Sequence, residues 1–289
     1  MHFGDHKQLM EHYVTHFDSN YFLKGLALYR SLVKHAGPFK LWIVCMDEIT
    51  AAMLERLKAQ EIEVIRLPDI EFPALLELKN TRTWAEYCWT VTPFLFDAIF
   101  SRDLSASRVT YLDSDIWFRK SPQLLLDELD QSNKKVLITD HGYSPELDQS
   151  ATSGQYCVQF VTFARKGAEA LLRQWQGQCL DWCFNRSEDG KFGDQKYLDL
   201  WPEDFPNVVH VLERQDRTLA PWNALRFPYG NAVFWHFHLL KIKSDLKAGK
   251  FSIESEAGQY IIPKVARDQV YANYINELEI SAKYAQALI

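Results

Sequence analysis

No run of apolar residues in this chain of 289 is long enough to cross a bilayer as a helix. Met1 to Met10 is polar and carries charges of both signs, which excludes the apolar core of a secretory signal peptide there. Cysteine is sparse and odd in number, five in all. Cys179 and Cys183 lie one helical turn apart, with no second pair to complete a zinc site. Reduced thiols are the simplest account, and a cytoplasmic chain is the expectation. Basic residues do not prevail. The net charge of -6 argues against a nucleic-acid binder, which would show a basic surplus. There is no internal repeat, low-complexity tract or obvious linker. The length suits one large domain or two small ones with a sizeable core.

What is present is an alternation of strands and helices. Tyr13 to Phe17 reads as a strand, and Asp18-Ser19-Asn20 then opens a helix running to His35, with Leu23, Leu26, Ala27, Arg30 and Val33 at helical spacing. Gly37-Pro38 stops it. Leu41 to Cys45 is a continuous apolar strand, as in a sheet covered on both faces. A helix from near Thr50 to near Gln60 leads to a strand at Val64 to Leu67. Trp84 to Phe100 is expected to be helical and bent at Pro93. A strand starting at Val109 follows, then a helix with Pro122 in its first turn. Asp140 to Gln155 is a polar loop long enough to suspect function. Tyr156 to Ala164 reads as a strand, Ala168 to Phe184 as a helix, Val208 to Leu212 and Ala232 to His238 as strands. This order predicts a parallel α/β sheet, and ligands of such sheets bind at the carboxyl ends of strands. One domain is expected over residues 1–243, with a helical tail over 244–289 packed on it. The tail's amphipathic helix, Arg267 to Leu288, could also meet a partner or the inner face of a membrane.

The most informative run is Val109 to Phe118, Val-Thr-Tyr-Leu-Asp-Ser-Asp-Ile-Trp-Phe. An apolar strand delivers Asp113 and Asp115 at its end. In extended chain alternate residues share a face about 6–7 Å apart. Two hard oxygen ligands so placed can hold one divalent cation, directly or through water, although a polar turn between strand and helix would carry the same residues. Four further groups bear on chemistry. Asp18-Ser19-Asn20-Tyr21 could hold a nucleobase by hydrogen bonding and stacking, and would equally serve as a helix cap. Gly193-Asp194-Gln195 is another cap or a site. His236-Phe237-His238 offers two imidazoles on one strand face, core residues or metal ligands. Lys241 and Lys243 could meet diphosphate charge or simply edge the sheet.

Together these features resemble the metal-dependent glycosyltransferases of the GT-A fold, in particular the glycogenin and bacterial lipooligosaccharide galactosyltransferase (family 8-like) superfamily. The likeness spans residues 12 to about 243. It implies a Rossmann-like, mixed but mostly parallel central sheet flanked by helices. It implies that Asp18, Asn20 and Tyr21 bind uridine, and that Asp113, Ser114 and Asp115 bind Mn²⁺ (or Mg²⁺), ribose and diphosphate, with Lys241 beside them. Asp194 and Gln195 would touch donor sugar and acceptor as the catalytic pair. Leu219 to Asn223 echo a Leu-Pro-x-x-aromatic-Asn pattern, which sets Asn223 near the sugar. His236 falls on the third metal ligand. The chain departs from the family after that histidine. Leu239 replaces a glycine, and no Pro-Trp follows Lys243, which makes His238 the alternative ligand. Gln159 stands where an Asn-x-Gly is usual and is expected to fill donor-sugar space. Thr90 and Thr92 stand near positions that are basic in the family.

The resemblance implies an enzyme that moves a hexose from a nucleotide diphosphate sugar, UDP first, to a saccharide or lipid-linked hydroxyl acceptor. Anomeric configuration would be retained, and bacterial surface-polysaccharide synthesis is the setting it suggests. Abundant Trp, Tyr and Phe fit a sugar-handling site as well as a core. Two other classes compete. A nucleotidyltransferase favours a Gly-rich basic loop after the first strand, which this chain lacks. A non-catalytic sugar- or nucleotide-binding protein would use the metal structurally.

Overall fold

The computed structural model describes residues 9–289, so the expectation for Met1 to Met10 falls almost wholly outside the described residues. The described residues form twelve strands: β1 Glu11–Phe17, β2 Phe39–Cys45, β3 Ile62–Arg66, β4 Arg108–Leu112, β5 Ile116–Phe118, β6 Val136–Asp140, β7 Tyr156–Ala164, β8 Val209–Val211, β9 Thr218–Leu219, β10 Phe234–His236, β11 Lys241–Asp245 and β12 Lys250–Ser255. Seven of them form a sheet in the order β3-β2-β1-β4-β7-β6-β8. Its pairings are parallel except those of β7, which runs antiparallel to both β4 and β6. A smaller sheet, β5-β10-β9, stands beside it, and β11 with β12 makes a separate hairpin.

The apolar runs are continuous because alternate residues feed two cores, one on each face of the large sheet. In β2, Leu41, Ile43 and Cys45 enter one core, while Trp42 and Val44 enter the other. In β4, Leu112 enters the first, Val109 and Tyr111 the second. Helix Phe22–His35 covers the first face. It lies close to β1 at Gly25, where a Cβ would come within 2.4 Å of the Phe17 ring. Helix Ala272–Ala287 packs on the same face through Tyr274, Leu278, Ala282 and Ala285, and Tyr274 stacks on Phe237 with ring centroids 3.6 Å apart. The boundary expected after residue 243 falls inside β11 of the hairpin, ahead of this helix.

Two differences from the expected elements have clear causes. The single bent helix over Trp84 to Phe100 is two helices, Trp84–Val91 and Phe94–Arg102, divided at Pro93, which has no N–H to continue the ladder. The strand expected over Ala232 to His238 is assigned only over Phe234–His236; the Phe237 N–H still donates in register to the Asp115 carbonyl (3.0 Å), and the left-handed Leu239 (φ 61°) then turns the chain away.

The sheet order fixes where a ligand can bind. From β1 the chain moves out through β2 to β3, then returns to lay β4 on the other side of β1. The carboxyl ends of β1 and β4 therefore face a topological switch point, the usual crevice for ligands in such sheets. Asp18 follows β1 directly, and Asp113 follows β4.

Candidate functional site

A cleft of about 540 Å³ opens at that switch point, within the range of small-molecule sites. Asp18, Tyr21, Asp113, Ser114, Asp115, Asp194, Gln195, His236 and His238 all line it. Asp113, Asp115 and His236 each offer a ligand atom within 4.8 Å of the others. The His236 Nε2 lies 3.1 Å from Asp115 Oδ1 and 3.7 Å from Asp113 Oδ2. β10 pairs antiparallel with β5, and His236 sits opposite Ile116, one residue past Asp115; that register brings ligands so distant in sequence together.

Each of the three groups is oriented by a second residue. The Tyr111 hydroxyl donates to Asp113 Oδ1 (2.9 Å) and lies 3.4 Å from His16 Nδ1. The Lys24 ammonium lies 3.4 Å from Asp115 Oδ2. The Gln159 Oε1 accepts from His236 Nδ1 at 2.8 Å, which leaves Nε2 facing the carboxylates. Such outer partners set ligand orientation and imidazole tautomer. Burial would raise the Asp115 carboxyl, but His236 and Lys24 overcome it and hold it far below the usual carboxylate range. Burial would lower His236, but Asp115 and Asp113 raise it above an ordinary histidine. An imidazole pulled toward its charged form between two carboxylates marks a point that favours a cation. Two carboxylate oxygens and one imidazole nitrogen can hold a divalent cation, so the residues fit a metal site.

At one end of the cleft Asp18 accepts from the Asn20 backbone N–H (3.0 Å) and from the Trp84 indole N–H (3.1 Å). Tyr21 is exposed beside it, with the Lys24 ammonium 4.5 Å from its ring centre. Past the metal group lies Asp194, 6% exposed. Burial, and then the Asp113 charge, push its carboxyl up to about 8. The Gly193 before it is left-handed (φ +51°), and a Cβ there would press to 3.4 Å on Trp89. No side-chain cap bond is made at the start of the following 3₁₀ turn Lys196–Leu200. The Gln195 amide donates to the Ser153 carbonyl at 2.7 Å, tying it to the Asp140 to Gln155 loop.

Several residues named from sequence stand elsewhere. Lys241 is exposed on the hairpin and does not line the cleft. Asn20 is exposed, with its amide turned onto Asp18 (3.1 Å), and is not part of the lining. Gln159 is fully buried and holds His236 instead of filling sugar space. Asn223 is fully buried too; its amide donates to the carbonyls of His141 (2.9 Å) and Thr218 (3.1 Å), so it braces a turn. His238 lines the cleft but stands outside the three-residue metal group. Conversely, Lys24, His16 and Trp84 belong to the site's surroundings without having been marked by motif, while Tyr111 and Trp222 lie inside marked runs without having been given a role. Lys24 had one signal, a charge set within the apolar face of its helix.

The strand order, the switch-point cleft and the carboxylate pair after β4 define a GT-A glycosyltransferase fold. Solved structures agree on the fold. Mouse xyloside xylosyltransferase 1 matches at a TM-score of 0.53 and 15% identity, covering 80% of this chain and 98% of its own. The glycosyltransferase GlyE of Streptococcus pneumoniae TIGR4 matches at 0.53 and 13%, covering 96% of this chain and 60% of its own. The galactosyltransferase LgtC matches at 0.50 and 13%, covering 89% and 99%. No protein-family model matches the chain. In sequence it is 32% identical over 230 residues to YfnF of Bacillus subtilis (strain 168), spanning 77% of this chain and 73% of that protein. It is 27% identical over 241 residues to YfnD of the same organism, spanning 78% and 76%. The chain belongs to the family of YfnF.

Proposed function

We propose that this chain is a glycosyltransferase that takes a hexose from a nucleoside diphosphate sugar and passes it to a hydroxyl group. The observation that carries the reading is the convergence of Asp113, Asp115 and His236 in a switch-point cleft of the GT-A fold. Those residues would hold Mn²⁺ or Mg²⁺, which supplies Lewis-acid stabilisation of the departing diphosphate. Among the described residues no Lys or Arg lines the cleft, so the side chains facing a diphosphate offer it no cation of their own. Asp18 would hydrogen-bond the nucleobase, and Tyr21 and Trp84 would stack on it; uracil, and hence UDP, is the base the resemblance favours. Gln195, held by Ser153, would flank the anomeric carbon.

Retention of anomeric configuration follows the resemblance, and the leaving diphosphate then takes the acceptor proton. Asp194 supports a second reading. A carboxyl pushed up to about 8 suits a general base near neutral pH, which an inverting reaction requires. NMR of the first-formed product separates the two by its anomeric coupling. A saccharide-building role, such as bacterial surface-polysaccharide assembly, fits either. Among the described residues no helix is long and apolar enough to cross a membrane.

The test is a panel of nucleotide sugars with and without Mn²⁺ or Mg²⁺, read by thermal shift and by donor hydrolysis. A bound donor stabilises the native state by mass action. Metal-dependent stabilisation and turnover by one UDP-sugar are expected. If no nucleotide sugar binds or reacts, and the protein instead joins a nucleoside triphosphate to a sugar phosphate, the reading is wrong.

A further inference from the structure

We propose that the end of the cleft beyond His236 is an acceptor subsite for an uncharged sugar ring, formed by Tyr143, Trp222 and Tyr260. The proposal rests on the transferase reading above and names its acceptor class. Contacts order the cleft. Trp84 meets Asp18, and Lys24 bridges Tyr21 and Asp115. His236 follows, and its ring lies 5.2 Å from Trp222. Beyond it, His141 meets Trp222 edge-on at 5.0 Å and stacks on Tyr143 at 4.6 Å. His238 connects Trp222, at 5.4 Å, to Tyr260, at 6.0 Å.

Most of this aromatic end stands apart from the two large cores, with Tyr260 packed against the first of them as well. Cys157, Ala220 and Trp222 form a third apolar cluster, with Tyr143 and Tyr260 half-buried against it. Three separate stretches of chain contribute the rings, and Trp222 is fixed by its indole N–H donating to the His141 carbonyl at 2.8 Å. Rings that serve only to fill a core would close on it; these line the cleft. A pyranose has an apolar C–H face and a polar rim. The rings suit the face, and Gln149 and Ser153 on the same wall suit the rim.

Charge selects among sugars. The cleft lining holds Asp18, Asp113, Asp115 and Asp194 and, among the described residues, no Lys or Arg. A carboxylate or phosphate on the accepting ring would find acidic neighbours and no partner, whereas hydroxyls find acceptors.

The test uses the full chain with Mn²⁺ and the UDP-sugar it hydrolyses. Lactose, maltose and cellobiose are offered as acceptors, beside a disaccharide ending in a uronic acid and a hexose 6-phosphate. Transfer to at least one neutral disaccharide is expected. Tyr143→Ala and Tyr260→Ala should each raise its KM roughly tenfold, the loss of one aromatic contact, while UDP affinity and donor hydrolysis stay unchanged. Tyr143→Phe should keep the wild-type KM. Unchanged acceptor KM in both alanine variants overturns the proposal. So does use of the acidic rings as readily as the neutral ones, or a wild type that hydrolyses donor yet neither binds nor glycosylates any neutral disaccharide. A wild type that binds no nucleotide sugar at all defeats the transferase reading itself, a separate outcome.

Discussion

Lys24 and Asp115 form a buried ion pair, the ammonium 3.4 Å from Oδ2 and the two side chains 4% and 12% exposed. The pair ties helix Phe22–His35 to the segment after β4. The same ammonium lies over the Tyr21 ring. One cation thus touches a metal ligand and the ring at the nucleobase end, and it occupies one of the two oxygens of Asp115. His236 holds the other.

Removing that cation should separate stability from metal binding. Lys24→Met leaves a buried carboxylate with only His236 beside it. Breaking a buried pair on one side costs about 3 kcal/mol or more, so the metal-free protein should melt lower. Mn²⁺ then meets a more negative site, and the rise in melting temperature on adding Mn²⁺ should be larger than in the wild type. Melting curves in EDTA and in Mn²⁺ give both numbers. An unchanged EDTA melt would mean that the pair contributes nothing.

Gln159 is the second positioning residue to test. Gln159→Leu removes the acceptor that fixes the His236 Nδ1 proton while keeping a buried side chain of similar size. Loss of such a partner typically weakens metal binding about 10–100-fold. Mn²⁺ titration by calorimetry should show that loss, with UDP affinity at saturating Mn²⁺ changed little. Wild-type Mn²⁺ affinity in the variant would leave Gln159 a space-filler.

The parts legible in the sequence were those written as long apolar runs. β7 matches its expected span from Tyr156 to Ala164, and β1, β2 and β4 need only short extensions at their starts. β6, Val136–Asp140, was not singled out although it is as long and as buried as β4; unlike β4 it ends in no marked motif. The β11/β12 hairpin is largely exposed and polar, and lacks an apolar face to announce it. In the site, carboxylates just past a buried strand were legible because chain direction alone puts them at a strand's carboxyl end. Asn223 and Gln159 were misleading because their amides suit sugar hydroxyls as well as buried backbone or imidazole groups, and only burial decides between those uses. Lys241 shows the same limit for charge, which says nothing about where a hairpin projects. Leu239 marks a departure with a structural echo. It is left-handed (φ 61°), a conformation that a glycine would adopt at little cost.

Acid should destabilise the metal-free protein through three of its buried histidines, His16, His141 and His238. Burial lowers His16 to about 4, His141 to about 3 and His238 to about 4. Unfolded, each titrates near 6.5. Between those values the unfolded chain binds protons that the native state refuses, so stability is present above about 6.5 and is lost as pH falls. Asp194 has the opposite sign. Its folded pKa of about 8 favours the native state at low pH, and that contribution fades as pH rises toward 8. Three histidines outweigh one carboxyl on the acid side, and on the alkaline side Asp194 is joined by His236, whose raised pKa makes its contribution fade as pH climbs through it. In EDTA the melting temperature should therefore peak near pH 6.5. His16→Gln should flatten the acid limb, and Asp194→Asn the alkaline limb. A melting temperature that climbs steadily from pH 6.5 to 5 would contradict the assignment.

The last test concerns Asp194 and Gln195. If they serve only the fold, their loss should cost stability and leave turnover intact; a helix cap is worth about 1 kcal/mol. Neither makes a side-chain cap bond at the following turn, and both line the cleft. Residues that act on the reacting sugar lower kcat with little change in donor affinity. Gln195→Ala should show that pattern, since its loss frees the wall pinned at Ser153 and lets the sugar shift; misplacement of that kind costs roughly 100-fold. The double variant, Gln195→Ala with Asp194→Asn, should lose more. Transfer and donor hydrolysis are measured beside UDP titration and a melting curve. Full turnover in a folded double variant would remove both residues from the chemistry and leave Asp113, Asp115 and His236 as the whole of the active site.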